Sequence, residues 1–91
     1  MQQIVYKVPG GKLLKIDVHL SGHIIEDIEI RGDFFVHPED AIDKLNEFLT
    51  GSSLDENFVD TLTEFIMTEG IDIFGFSAQD IYDALTQTNE N

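Results

Sequence analysis

Cysteine is absent from all 91 residues. That excludes disulfides, thiolate metal sites, iron–sulfur scaffolding and thiol catalysis. Bases are absent from the second half. Residues 45–91 hold ten acids and no Lys, Arg or His, whereas residues 1–44 hold eight acids and all five Lys and Arg. The formal net charge is −13. Such a field repels nucleic acid, whose affinity comes from Lys and Arg on phosphates, and it attracts a basic protein surface. The same charge also serves solubility or adaptation to high salt. No apolar run approaches the ~20 residues that a bilayer crossing needs. The start, Met1 to Lys7, lacks the charged segment and long apolar stretch of a signal peptide. The expectation is a cytoplasmic chain that binds neither membrane nor nucleic acid.

Catalytic constellations are also scarce. Gly10-Gly11-Lys12 is too short for a phosphate loop and sits in a hairpin rather than before a helix, so a β-turn explains it. His19 and His23 straddle a turn with no acid placed to complete a metal site, and with His37 they read as surface or packing residues. Most carboxylates fall opposite apolar stripes, as on a solvated face.

What is present suits one modest core. The chain is long enough for a single domain, 1–91, and 42% of its residues are apolar. Ile4, Tyr6 and Val8 alternate with Val5 and Lys7, then Pro9-Gly10-Gly11 makes a turn. Leu14, Ile16, Val18 and Leu20 form one face of a second strand. After Ser21-Gly22, Ile24, Ile28 and Ile30 form the inner face of a third, with Asp27, Glu29 and Arg31 opposite. Near Phe35 the period changes. Pro38 suits the first position of a helix, with Glu39 and Asp40 at the positive end of its dipole. Ile42, Leu45, Phe48 and Leu49 form its stripe, and Gly51 ends it. Ser53 with Glu56 reads as a capping box for a second helix carrying Phe58, Val59, Leu62, Phe65 and Ile66, ended by Gly70. Ile71 to Phe76 is a short apolar connector that suits an extended segment. Ser77 with Asp80 caps a last helix carrying Ile81, Tyr82 and Leu85, and residues 86–91 read as a frayed polar tail. The fold class is therefore α+β: a three-stranded antiparallel sheet followed by three helices on one face.

Two segments invite a functional reading. Ser52-Ser53-Leu54-Asp55 is similar to the modified Asp-Ser-Leu of acyl carrier proteins. Ser52 replaces the Asp, however, the strands do not suit a four-helix carrier, and Ser53 already has a capping role. Gly32-Asp33-Phe34-Phe35 joins the last strand to the first helix. Two adjacent aromatics are hard to bury together in one small core, so one is a candidate partner anchor.

Several of these segments together resemble one family, the accessory C-terminal domain of lipoate–protein ligases. The resemblance runs through Lys7 with Gly10-Gly11-Lys12, Gly32-Asp33-Phe34-Phe35, Pro38-Glu39-Asp40-Ala41, Leu49 with Gly51, and Gly75-Phe76-Ser77 with Asp80-Ile81. Asp40 stands where the family often has Glu, and Phe76 where it usually has a smaller aliphatic residue. The resemblance implies a fold like that of SufE/NifU-type proteins, without their cysteine chemistry. It implies no catalytic residue, metal or cofactor on this chain. It implies a heterodimer with a catalytic subunit that uses ATP, Mg and lipoate to make lipoyl-adenylate. Lipoyl domains of 2-oxoacid dehydrogenases, or the glycine cleavage H protein, are then indirect partners. The alternative is an acidic module for another basic partner, or a carrier modified on Ser53. The expected partner surface comprises Lys7, Pro9, Gly10, Gly11 and Lys12, with Arg31, Gly32, Asp33, Phe34 and Phe35.

Overall fold

A computed structural model describes residues 2–87. The chain runs β1 (Gln2–Lys7), β2 (Leu13–Ser21), β3 (Ile24–Gly32), β4 (Phe35–His37), α1 (Ala41–Leu49), α2 (Phe58–Thr68), β5 (Asp72–Phe74) and α3 (Ala78–Gln87). Strands β1, β2 and β3 form an antiparallel sheet in that order, and β4 pairs with β5 in a separate two-stranded ribbon. Period-two alternation sets the inner face: Ile4, Leu14, Ile16, Val18, Ile28 and Ile30 are buried, while Lys15, His19, Glu29 and Arg31 stay in water. Helices α1 and α3 pack on that face, burying Ala41, Leu45 and Leu49 from α1 and Ala78, Ile81, Ala84 and Leu85 from α3, while α2 packs against α3 and buries Phe58 and Leu62. The expected α+β arrangement, three strands and then three helices on one sheet face, is what the chain adopts.

The differences from the sequence reading have local causes. Ile24 is 42% exposed, and Ile25 takes the inner position. The pairing His19↔Asp27 is followed by Leu20↔Ile25, so Glu26 is an extra residue that bulges out and inverts the alternation. Helix α1 begins at Ala41 rather than Pro38. The pairing of β4 keeps the chain extended to His37, and Pro38 to Asp40 then form a turn in which Ala41 N donates to Pro38 O at 2.9 Å. Ser53 does not cap α2. It bridges to Ile24, and the segment around it lies along the edge of β3, with Ile25 N donating to Ser52 O at 2.9 Å. That segment gives β3 backbone partners beyond the sheet, which protects an otherwise open edge. The helix starts later, after Asn57, whose N–H donates to Asp55 Oδ1 at 2.9 Å. Thr86 and Gln87, expected in the tail, complete the last turn of α3, where Thr86 Oγ1 donates to Tyr82 O at 2.8 Å. The rest of that expected tail, 88–91, lies outside the described residues.

The Ser77–Asp80 cap forms as expected. Ser77 N donates to Asp80 Oδ2 at 2.8 Å, and Asp80 N donates to Ser77 Oγ at 3.3 Å. The two residues thus satisfy each other's backbone donors at the start of α3.

Candidate protein-binding face

The apolar connector between α2 and α3 determines what the surface looks like. Phe35 pairs with Phe74, Val36 with Ile73, and His37 with Asp72. Alternation turns Val36 and Ile73 towards the core, where both are partly buried. Phe35 and Phe74 are turned outwards, 75% and 60% exposed. The adjacent aromatics of the junction therefore separate. Phe34 packs edge-on against Phe76 with ring centroids 4.8 Å apart, and Phe35 stands in water.

The β1–β2 turn leans on the same ribbon. Val8 N donates to Lys12 O at 3.0 Å and Gly11 N to Val8 O at 2.9 Å, which closes the turn around exposed Pro9 and Gly10. Lys12 N then reaches Gly75 O at 3.4 Å. Both glycines at this contact are required by space. A Cβ on Gly11 would lie 2.8 Å from Val8 Cγ1 and 3.0 Å from Gly75 O, and one on Gly75 would lie 2.9 Å from Lys12 Cγ. Gly75 also has φ +122°, which L side chains rarely adopt. The stem of Lys12 consequently lies across Gly75, one residue from Phe74. Lys7 reaches back into the turn, its Nζ donating to Gly11 O at 2.5 Å.

The remaining expected surface residues lie on the solvent side of the sheet. Arg31 is tied to Asp17 and, at 3.5 Å, to Glu29. These carboxylates offset its placement directly across from Lys15, a like-charge pairing that costs stability when left uncompensated. Arg31, Gly32 and Asp33 border a shallow depression with Gln3, Leu13 and Lys15. The structure thus joins Lys7, Pro9, Gly10, Gly11 and Lys12 to the ribbon that holds Phe35. It turns Phe34 inwards, and it engages Arg31 with carboxylates of its own chain.

Phe74 and Gly75 were not expected in this face. The mirrored patterns Phe35-Val36-His37 and Asp72-Ile73-Phe74, each outer-inner-outer, are the signal that identifies Phe74. Among the described residues no group of three or more His, Asp and Glu is placed to hold a metal. His19 instead pairs with Glu26 at 3.0 Å on the surface. Partial burial, and then the Asp83 and Asp80 carboxylates of α3, push the Tyr6 phenol up. Packing of β1 against an acidic helix accounts for that shift.

Sheet, ribbon and helices define a small α+β domain whose distinctive outward chemistry is an apolar, cation-edged face. The model of the bacterial lipoate protein ligase C-terminus family matches residues 6–85. The chain belongs to that family, the accessory C-terminal domains of lipoate–protein ligases. Lipoate-protein ligase A subunit 2 of Thermoplasma acidophilum is 38% identical to it over 73 residues, covering 80% of this chain and 76% of the relative. A chain in the solved structure of an archaeal lipoylation system from Thermoplasma acidophilum, a bipartite lipoate protein ligase and its E2 lipoyl domain, has the same fold. The TM-score is 0.71 at 32% identity, covering 92% of this chain and 97% of that chain.

Proposed function

We propose that this chain is the non-catalytic accessory subunit of a two-part lipoate–protein ligase. It acts with a catalytic subunit in the ATP-dependent activation of lipoate to lipoyl-adenylate, before transfer to a lipoyl-domain lysine. The observation that carries this reading is the family match across 6–85, together with a relative described as a ligase's second subunit. ATP, Mg and lipoate belong in this reading to the partner. Lipoyl domains of 2-oxoacid dehydrogenases, or the glycine cleavage H protein, meet the complex rather than this chain.

A physical role follows from the chemistry of the intermediate. An acyl-adenylate is a mixed anhydride that water destroys, so its site must close while it persists. A docked domain that favours the closed arrangement of nucleotide loops raises the population of the competent state without supplying a reacting group. Rigidity and a complementary surface are what this fold offers. The docking region is the turn Lys7, Pro9, Gly10, Gly11 and Lys12 with the Arg31, Gly32, Asp33, Phe34 and Phe35 junction. Within it Phe34 supports the surface from below, and Arg31 contributes through its carboxylate pairs.

The carrier alternative has little to support it. Ser53 is half-buried, bridged to Ile24, and precedes α2 instead of opening it. The test of the proposal is copurification of this chain with the lipoate ligase core of its own cell. Lipoyl-adenylate formation is then measured with and without the chain.

A further inference from the structure

Among the described residues the exposed large hydrophobics are Val5, Ile24, Phe35, Met67 and Phe74, and of these Phe35 and Phe74 are paired across strands. Phe35 and Phe74 are the two aromatic residues among them, and they sit directly opposite each other in the β4–β5 ribbon. Directly paired residues project from the same side of a two-stranded unit, with Cβ atoms about 5 Å apart. The rings therefore form one contiguous patch, of the kind that marks interaction surfaces. The fold does not need them there, because Phe34, Val36, Ile73 and Phe76 already close the core beneath.

None of the ion pairs among the described residues uses Lys7, Lys12 or Lys15, although the chain has 18 acids, and of these three Lys7 and Lys12 belong to the turn beside the patch. Lys7 spends its ammonium on a backbone carbonyl, and Lys12 crosses Gly75 beside Phe74. His37 and Asp72 share the outer face at the far end of the ribbon. The patch is thus cationic along its turn side, on a molecule that is strongly anionic as a whole.

We propose that Phe35 and Phe74 are a two-pronged anchor that enters an apolar depression on the catalytic subunit, and that carboxylates on its rim pair with Lys12 and Lys7. This rests on the accessory-subunit reading and deepens it by stating the partner's local chemistry. The contact is apolar with an acidic rim, although the −13 charge taken alone selects a basic partner. Aromatic anchors at the centre of an interface typically carry most of its energy, and the charges beside them fix orientation.

The experiment measures affinity between the full chain and the ligase core of its cell, using Phe35→Ala, Phe74→Ala, the double variant and Lys12→Glu. Met67→Ala serves as the matched control, since Met67 is 75% exposed and belongs to α2 rather than to the ribbon. Each Phe variant should weaken binding roughly tenfold or more. The double variant should weaken it further, Lys12→Glu should weaken it, and Met67→Ala should leave it unchanged. Melting temperatures should stay near that of the parent. Hydrogen exchange on the unaltered complex gives a reading independent of any variant, with slowed exchange expected in 35–37 and 72–75. Parent binding with unaffected Phe variants, or protection confined to α1 and α2, overturns the anchor and leaves the accessory-subunit reading standing. Absence of any complex with the parent chain overturns both.

Discussion

Phe34 and Phe35 are neighbours of one residue type in opposite surroundings, and alternation along an extended backbone separates them. Phe34 is partly buried and meets Phe76 edge to face, while Phe35 is 75% exposed. Truncating the inner ring removes apolar contact and leaves a void that the tight ribbon can fill only in part. Phe34→Ala should therefore cost about 2 kcal/mol, below the 3–5 kcal/mol of a fully buried Phe. Phe35→Ala should cost less than about 0.5 kcal/mol. Chemical denaturation of both variants checks this. Equal losses would mean that the outer ring also supports the fold.

At the scale of elements, the two serines singled out as helix caps have different fates, and this too can be measured. Ser77 closes a reciprocal box with Asp80, whereas Ser53 lies in the segment along β3. Ser77→Ala should destabilise by about 1 kcal/mol, as loss of an N-cap does. Asp55→Ala should perturb the start of α2 more than any cap change at Ser53, because Asp55 is the residue whose carboxylate accepts from Asn57 N. Thermal melts of Ser77→Ala, Ser53→Ala and Asp55→Ala would contradict this if Ser53 proved the main determinant of α2. The long elements were legible in the sequence because each contains several repeats of its period: Leu14 to Leu20 for a strand, Ile42 to Leu49 and Phe58 to Ile66 for helices. Strand β4 was not, and β5 was legible only as an extended connector, without its partner. Three residues hold barely one period, and the partners of Phe35–His37 lie far along the chain at Asp72–Phe74. The same limit hid the bulge at Glu26, since a single extra residue looks like ordinary alternation until the register is known. Half of the candidate face was therefore visible, the turn and the Gly32–Phe35 junction. Phe74 and Gly75 became part of it only through a long-range pairing.

At the scale of the whole molecule, charge is separated along the fold. Four of the five bases, Lys7, Lys12, Lys15 and Arg31, lie on the sheet and its turn, and residues 45–91 contribute acids alone. Attraction between such a surface and a partner is screened beyond ~8–10 Å at physiological ionic strength. Affinity for the catalytic subunit should fall as salt rises, and the fall should be shallower for Lys12→Glu. If affinity is flat from low to high salt, pairing of Lys12 and Lys7 with carboxylates of the partner contributes little to docking. An accessory domain has to change the half-reaction that needs a closed nucleotide site, and it should change transfer much less. The most direct measurement is lipoate-dependent formation of lipoyl-adenylate from ATP by the catalytic core, alone and with this chain, beside transfer from preformed lipoyl-adenylate to a lipoyl domain. The account predicts that adenylate forms readily only when both chains are present, that this chain alone forms none, and that transfer from preformed adenylate proceeds with the core by itself. Equal adenylate formation by the core with and without this chain would contradict it.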